Sequence, residues 1–107
     1  MDTMRAYMIN PDDRTITAVD CADGLAGIRR LIGFDTVDSD EIDANGDRLF
    51  FDESCFIRQQ EGAGRFRLDT LAPVAGRGVV IGSRSGGSEL CDAVVTLDAL
   101  QTRVSFA

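Results

Sequence analysis

Asp35-Thr36-Val37-Asp38-Ser39-Asp40-Glu41-Ile42-Asp43-Ala44-Asn45-Gly46-Asp47-Arg48-Leu49-Phe50-Phe51-Asp52-Glu53 is the stretch that decides the fold. Its centre, Asn45-Gly46, is a strong hairpin signal, because both residues tolerate the positive φ of a type I′ turn. A two-residue loop there sets Ala44 opposite Asp47, Asp43 opposite Arg48 and Ile42 opposite Leu49. Opposite charges then face each other at 43 and 48, and apolar groups at 42 and 49. The stretch predicts strands over 37–44 and 47–53.

Upstream, Met4–Asn10 reads as a strand, Pro11-Asp12-Asp13-Arg14 as a turn and the alternating, β-branched Thr15–Asp20 as the returning strand of another hairpin. Between the hairpins, Leu25, Ile28, Leu31 and Ile32 recur at helical spacing, with Asp23 placed to cap the helix and Gly33 to stop it. Downstream, Cys55–Gln60 is ambiguous, Glu61–Gly64 reads as a loop and Arg65–Leu71 as a strand. Pro73–Gly78 is irregular, Val79–Ser83 a short buried strand and Ser85–Ser88 a flexible turn. Thr96 is placed to cap a last short helix with Leu97 and Leu100 inward, and Val104 and Phe106 to dock the tail. The pattern predicts an α+β fold: a mainly antiparallel sheet of hairpins with one amphipathic helix and a short C-terminal helix, both packed on one face.

A chain of 107 residues, 44% hydrophobic and 27% charged, has the size and composition of a single globular domain rather than a disordered segment. No apolar run approaches the roughly 20 residues that span a bilayer. Residues 1–5 lack a positive region leading into an apolar stretch, so a cytoplasmic location is expected. Cys21, Cys55 and Cys91 are sparse and odd in number, which favours reduced thiols over a disulfide framework.

The net charge of −7 is concentrated in one place. Residues 35–53 hold eight acids against Arg48, a local excess equal to that of the whole chain. Residues 54–88 are net basic through Arg58, Arg65, Arg67, Arg77 and Arg84. The acidic block repels DNA and anionic membranes and attracts basic surfaces. Its plain alternative is a solvated hairpin that keeps the protein soluble. The arginines, with Phe56 and Phe66 among them, faintly echo a single-strand binder, but the overall charge opposes phosphate binding. Pairing with the acidic block, within one molecule or between two, is the reading preferred for them.

Signals for chemistry are weak. Glu41-x-Asp43-x-Asn45-Gly46-Asp47, with Asp52 in twelfth position, resembles a calcium loop only loosely: Glu stands first, Arg eighth and Asp last, and the flanks read as strands. Gly76-x-Gly78-x-x-x-Gly82 runs into a strand where a nucleotide loop opens a helix. The chain has no histidine to serve as base for a nucleophile or to join a cysteine–histidine zinc site. No cofactor, metal or catalytic residue is expected.

Ala6-Tyr7-Met8-Ile9-Asn10-Pro11-Asp12-Asp13-Arg14-Thr15-Ile16-Thr17-x-Val19, Asn45-Gly46-Asp47-x-x-Phe50-x-Asp52-Glu53, Pro73-x-Ala75-Gly76-x-Gly78-x-Val80-x-Gly82 and Leu97-x-x-Leu100-x-x-x-Val104-x-Phe106 together cover nearly the whole chain. In this order they resemble a family of small uncharacterised proteins found in phage, plasmid and bacterial genomes. The resemblance implies a mobile-element accessory protein and supplies no active site.

The reading that follows is a non-enzymatic interaction module. Asp38, Asp40, Glu41, Asp43, Asp47, Asp52 and Glu53 would meet a basic protein surface, such as that of a nucleic-acid-binding protein. Counter-defence by partial DNA mimicry, against restriction or CRISPR machinery, is its sharpest form. Neither a direct nucleic-acid contact nor a membrane contact is expected. The alternatives are a regulatory module for a small ligand or metal ion and a carboxylate-dependent hydrolase.

Overall fold

The computed structural model describes residues 3–54, 64–84 and 89–106. The readings at Cys55–Gln60, at 61–63 and at Ser85–Ser88 lie outside the described residues. In chain order the elements are β1 (Met4–Asn10), β2 (Thr15–Cys21), α1 (Leu25–Ile32), β3 (Val37–Glu41), β4 (Arg48–Asp52), β5 (Arg65–Leu68), β6 (Val74–Ala75), β7 (Gly78–Arg84), β8 (Glu89–Cys91), α2 (Leu97–Arg103) and β9 (Val104–Phe106).

The first hairpin forms as its turn chemistry predicts, β1 and β2 pairing from Met4↔Cys21 to Asn10↔Thr15. Asn10 Oδ1 accepts the Asp12 N–H at 3.1 Å and so fixes the start of the turn. The second hairpin forms with its register moved by two. Glu41, not Asp43, faces Arg48, and Asp40, not Ile42, faces Leu49. The Ile42 N–H donates to the Asp47 carbonyl at 3.0 Å, so the loop is Asp43-Ala44-Asn45-Gly46, closed by the Gly46 N–H on the Asp43 carbonyl at 3.3 Å. A type I′ turn needs positive φ at both central residues. Here Gly46 has φ +101°, while Asn45 is not among the positive-φ residues. The Asn45 side chain instead accepts the Asp47 N–H at 3.1 Å, an Asx-type bond that competes with the tight turn. Because strand side chains alternate with period two, the shift leaves every strand residue on its original face.

Helix α1 starts on Gly24 at φ 59°, with no side-chain cap. Asp23, the expected cap, sits one position early at φ 65°, and its carboxylate pairs with Arg30 at 2.8 Å. The stop is as expected: Gly33, at φ 90°, donates to the Arg29 carbonyl. At the second helix, Thr96 accepts the Ala99 N–H at 3.2 Å, as its position predicts. Thr96→Ala is therefore expected to destabilise the protein by about 1 kcal/mol in urea melts.

Among the described residues the main sheet has six strands, five in the order β2-β1-β7-β4-β3, with β8 pairing the far end of β7. All its pairings are antiparallel. Strand β7 lies between β1 and β4, and Val79, Val80 and Ile81 are fully buried, as expected of a strand covered on both faces. On one face Val79, Ile81, Phe50 and Ala6 pack with Ile28 and Ile32 of α1. On the other, Val80, Leu49, Phe51, Tyr7 and Ile9 pack with Phe66, Leu68 and Leu100. That second face carries a small sheet, β6-β5-β9, and α2.

The two helices therefore lie on opposite faces of the main sheet, not on one as the sequence suggested. Apolar residues of β5 and β9 needed a surface, and only the face left open by α1 offered one. The supposedly irregular Pro73–Gly78 contains β6, and β8 had no sequence signal. Among the described residues, no helix is long and apolar enough to cross a membrane.

Candidate interaction surface

The seven acids singled out in the sequence do not form one exposed stripe. Asp38, Asp40, Glu41 and Glu53 are exposed, Asp43 is half-buried, and Asp47 and Asp52 are 0% and 1% exposed. The last two are corrections to the expected surface: both point inward. Asp47 accepts the backbone N–H groups of Val94 and Val95 at 2.9 and 2.8 Å, which ties the segment after β8 to the hairpin. Beside it, the Ser83 hydroxyl donates to the Gly46 carbonyl at 2.5 Å. Asp52 accepts the Ser54 N–H at 3.2 Å.

Asp43 is committed as well. Arg103, at the end of α2, donates to Asp43 Oδ2 at 2.9 Å, to the Ile42 carbonyl at 3.2 Å and to both carboxylate oxygens of Asp69. The hydrogen bonds to Asp69 and then Asp43 push the guanidinium further up from its already high range. Sequence reasoning assigned partners of the acidic block to the arginines at 58–84. Among the described residues, the cations that reach it are Arg48 and Arg103. Arg67 donates instead to the Leu71 carbonyl and Arg77 to the Leu31 carbonyl. Phe66 is fully buried and so cannot stack on a base, while Phe56 and Arg58 lie outside the described residues.

The exposed acids sit mainly on β3, which among the described residues is an outer strand of the main sheet. Directly opposed residues share a face. Asp38 and Asp40 oppose Phe51 and Leu49, so they lie on the small-sheet side; Val37, Ser39 and Glu41 oppose Asp52, Phe50 and Arg48 and lie on the α1 side. Backbone directions follow from two bonds: Glu53 N–H to the Thr36 carbonyl and Ile42 N–H to the Asp47 carbonyl, each 3.0 Å. Antiparallel pairs alternate, so 36, 38, 40 and 42 turn their backbone groups to β4 while Val37, Ser39 and Glu41 turn theirs outward.

The central outward pair is capped by side chains. The Ser39 N–H donates to Asp38 Oδ1 at 2.8 Å, and Arg48 donates from Nε to Ser39 Oγ at 3.1 Å and, in a long contact of 3.5 Å, from Nη2 to the Ser39 carbonyl. Glu41 stands 4.0 Å from Arg48. On the α1 side, a groove of about 470 Å³ is lined by Ser39, Phe50, Leu25, Met4, Leu90 and Glu89.

The carboxylates of the calcium-like loop do not converge, since Asp43 turns to Arg103 and Asp47 to Val94 and Val95. Among the described residues, no group of three potential ligands is placed to hold a metal ion. Every buried side-chain nitrogen or oxygen described has a hydrogen-bond partner. Cys21 and Cys91 are free thiols, and burial pushes the Cys21 thiol up. No family model, curated protein or solved structure matches this chain.

Proposed function

We propose that the chain is a non-enzymatic protein-interaction module of mobile-element type, acting in the cytoplasm, that presents its acidic outer strand to a basic protein surface. The observation that carries this reading is the placement of Asp38, Asp40 and Glu41, all exposed, on the outer strand β3. Carboxylates fixed to a paired strand lose little freedom on binding, and they steer a cationic partner while repelling anionic ones. A nucleic-acid-binding surface is the preferred partner, because it already accepts a row of negative charges. The mobile-element context rests on the sequence resemblance.

The test compares pull-downs from a native host using the unaltered protein and the variant Asp38→Asn/Asp40→Asn/Glu41→Gln. The exchanges remove charge at solvent-exposed positions and keep shape, so the fold is expected to survive. Partners captured by the native protein should be lost with the variant and weakened by salt, as the Debye length falls from about 10 Å at 0.1 M to about 3 Å at 1 M. Identical partner sets would reduce the acids of β3 to solvation and edge protection, which charged outer strands commonly provide.

A further inference from the structure

We propose that the outer edge of β3 receives an extended basic segment of the partner as an added strand, with one apolar side chain of that segment seated in the groove beside α1. The proposal rests on the reading of β3 as the partner-binding element and specifies how the partner is held. Val37, Ser39 and Glu41 present their backbone groups outward, which is the pattern an incoming strand requires.

Side chains of an added strand alternate between faces. On one face they meet Asp38 and Asp40; on the other they meet the groove, where Leu25 is 40% exposed and Phe50 forms part of the wall. Glu89 adds negative charge on the groove side, where Glu41 is set against Arg48. The complementary segment alternates arginine or lysine with an apolar residue.

A second copy of this chain fits poorly. Antiparallel pairing of two β3 strands about Ser39 sets Asp38 of each against Asp40 of the other, and like charges directly opposed are destabilising. The caps on Ser39 act in the same direction. A neutral strand must break the Ser39–Asp38 and Ser39–Arg48 bonds with nothing to offer the freed carboxylate. A basic strand gives Asp38 a charged donor and gives the released Ser39 N–H a carbonyl, so the edge is selective for cationic segments.

The experiment titrates the full chain with a synthetic peptide of alternating arginine and valine. In parallel it uses the same peptide N-methylated at alternate backbone positions, in both possible phases, and a glutamate–valine control. The plain basic peptide is expected to bind and to slow hydrogen exchange at Ser39 and Glu41. One N-methylated phase should lose about tenfold or more in affinity, the effect of two or more missing hydrogen bonds. The glutamate control should not bind. Leu25→Ser, at an already exposed position and with no change of charge, should weaken the peptide with the circular dichroism spectrum unchanged. If both methylated phases bind as well as the plain peptide, strand addition is wrong while recognition of charge by β3 stands. If the plain peptide fails to bind at low salt, or if β3 instead mediates self-association, the proposal is overturned. Loss of captured partners with the triple variant would still support the broader function.

Discussion

Gly46→Ala is expected to destabilise the protein by roughly 2–5 kcal/mol, from a strained backbone and a steric overlap. Gly46 adopts φ +101°, where an L side chain costs roughly 1–2 kcal/mol. A methyl added there overlaps the carbonyl oxygen of Ser83, a backbone atom held in the central strand β7. Relief requires moving the loop or the strand, at a further 1–3 kcal/mol or so. Gly33→Ala isolates the first component, since Gly33 has φ +90° and nothing within 4 Å of the added methyl. It should cost about 1–2 kcal/mol. Urea melts of the pair check the difference; equal losses would mean that the Ser83 contact relaxes freely. Since a domain's total stability is about 5–15 kcal/mol, the Gly46 variant is expected to melt far below the native protein or to fail to fold.

Asp47→Ala is expected to lose about 3 kcal/mol, because the Val94 and Val95 N–H groups lose a charged acceptor together. Asp47→Asn retains one oxygen but turns an amide N–H₂ toward a backbone donor, so it should lose about 2 kcal/mol. Both variants should also speed hydrogen exchange at Val94 and Val95 selectively. A loss below about 0.5 kcal/mol for the alanine variant would show that water replaces the carboxylate at no net cost. By contrast, Asp38 and Asp40 are exposed and their replacement should leave the melt nearly unchanged. The acidic block thus divides into acids that hold the fold and acids that stand in solvent.

That division was not legible in the sequence. Asp40 and Asp47 are both acids near the same turn, and composition gives them equal weight. What separates them is the approach of Val94 and Val95, 47 and 48 positions from Asp47. Arg103 carries no signal in the sequence for the same reason: it reaches Asp43 across 60 positions, while five arginines lie nearer in sequence. The groove at Leu25 likewise joins β1, α1, β3, β4 and β8, whose proximity exists only in the folded chain.

The sequence by itself determined the two hairpins, the burial of Ile28 and Ile32 on α1 though not of Leu25 on the same face, the helix stop at Gly33 and the cap at Thr96. Each depends on residues within a few positions of one another, where backbone preference and side-chain period act directly. Tertiary structure alone decided the insertion of β7 between β1 and β4, the placing of the helices on opposite faces, and which carboxylates are buried. It also decided the two-residue shift at Asn45-Gly46: with Asp47 tied to Val94 and Val95 and Gly46 seated against Ser83, the longer loop satisfies donors that a tight turn in isolation never meets.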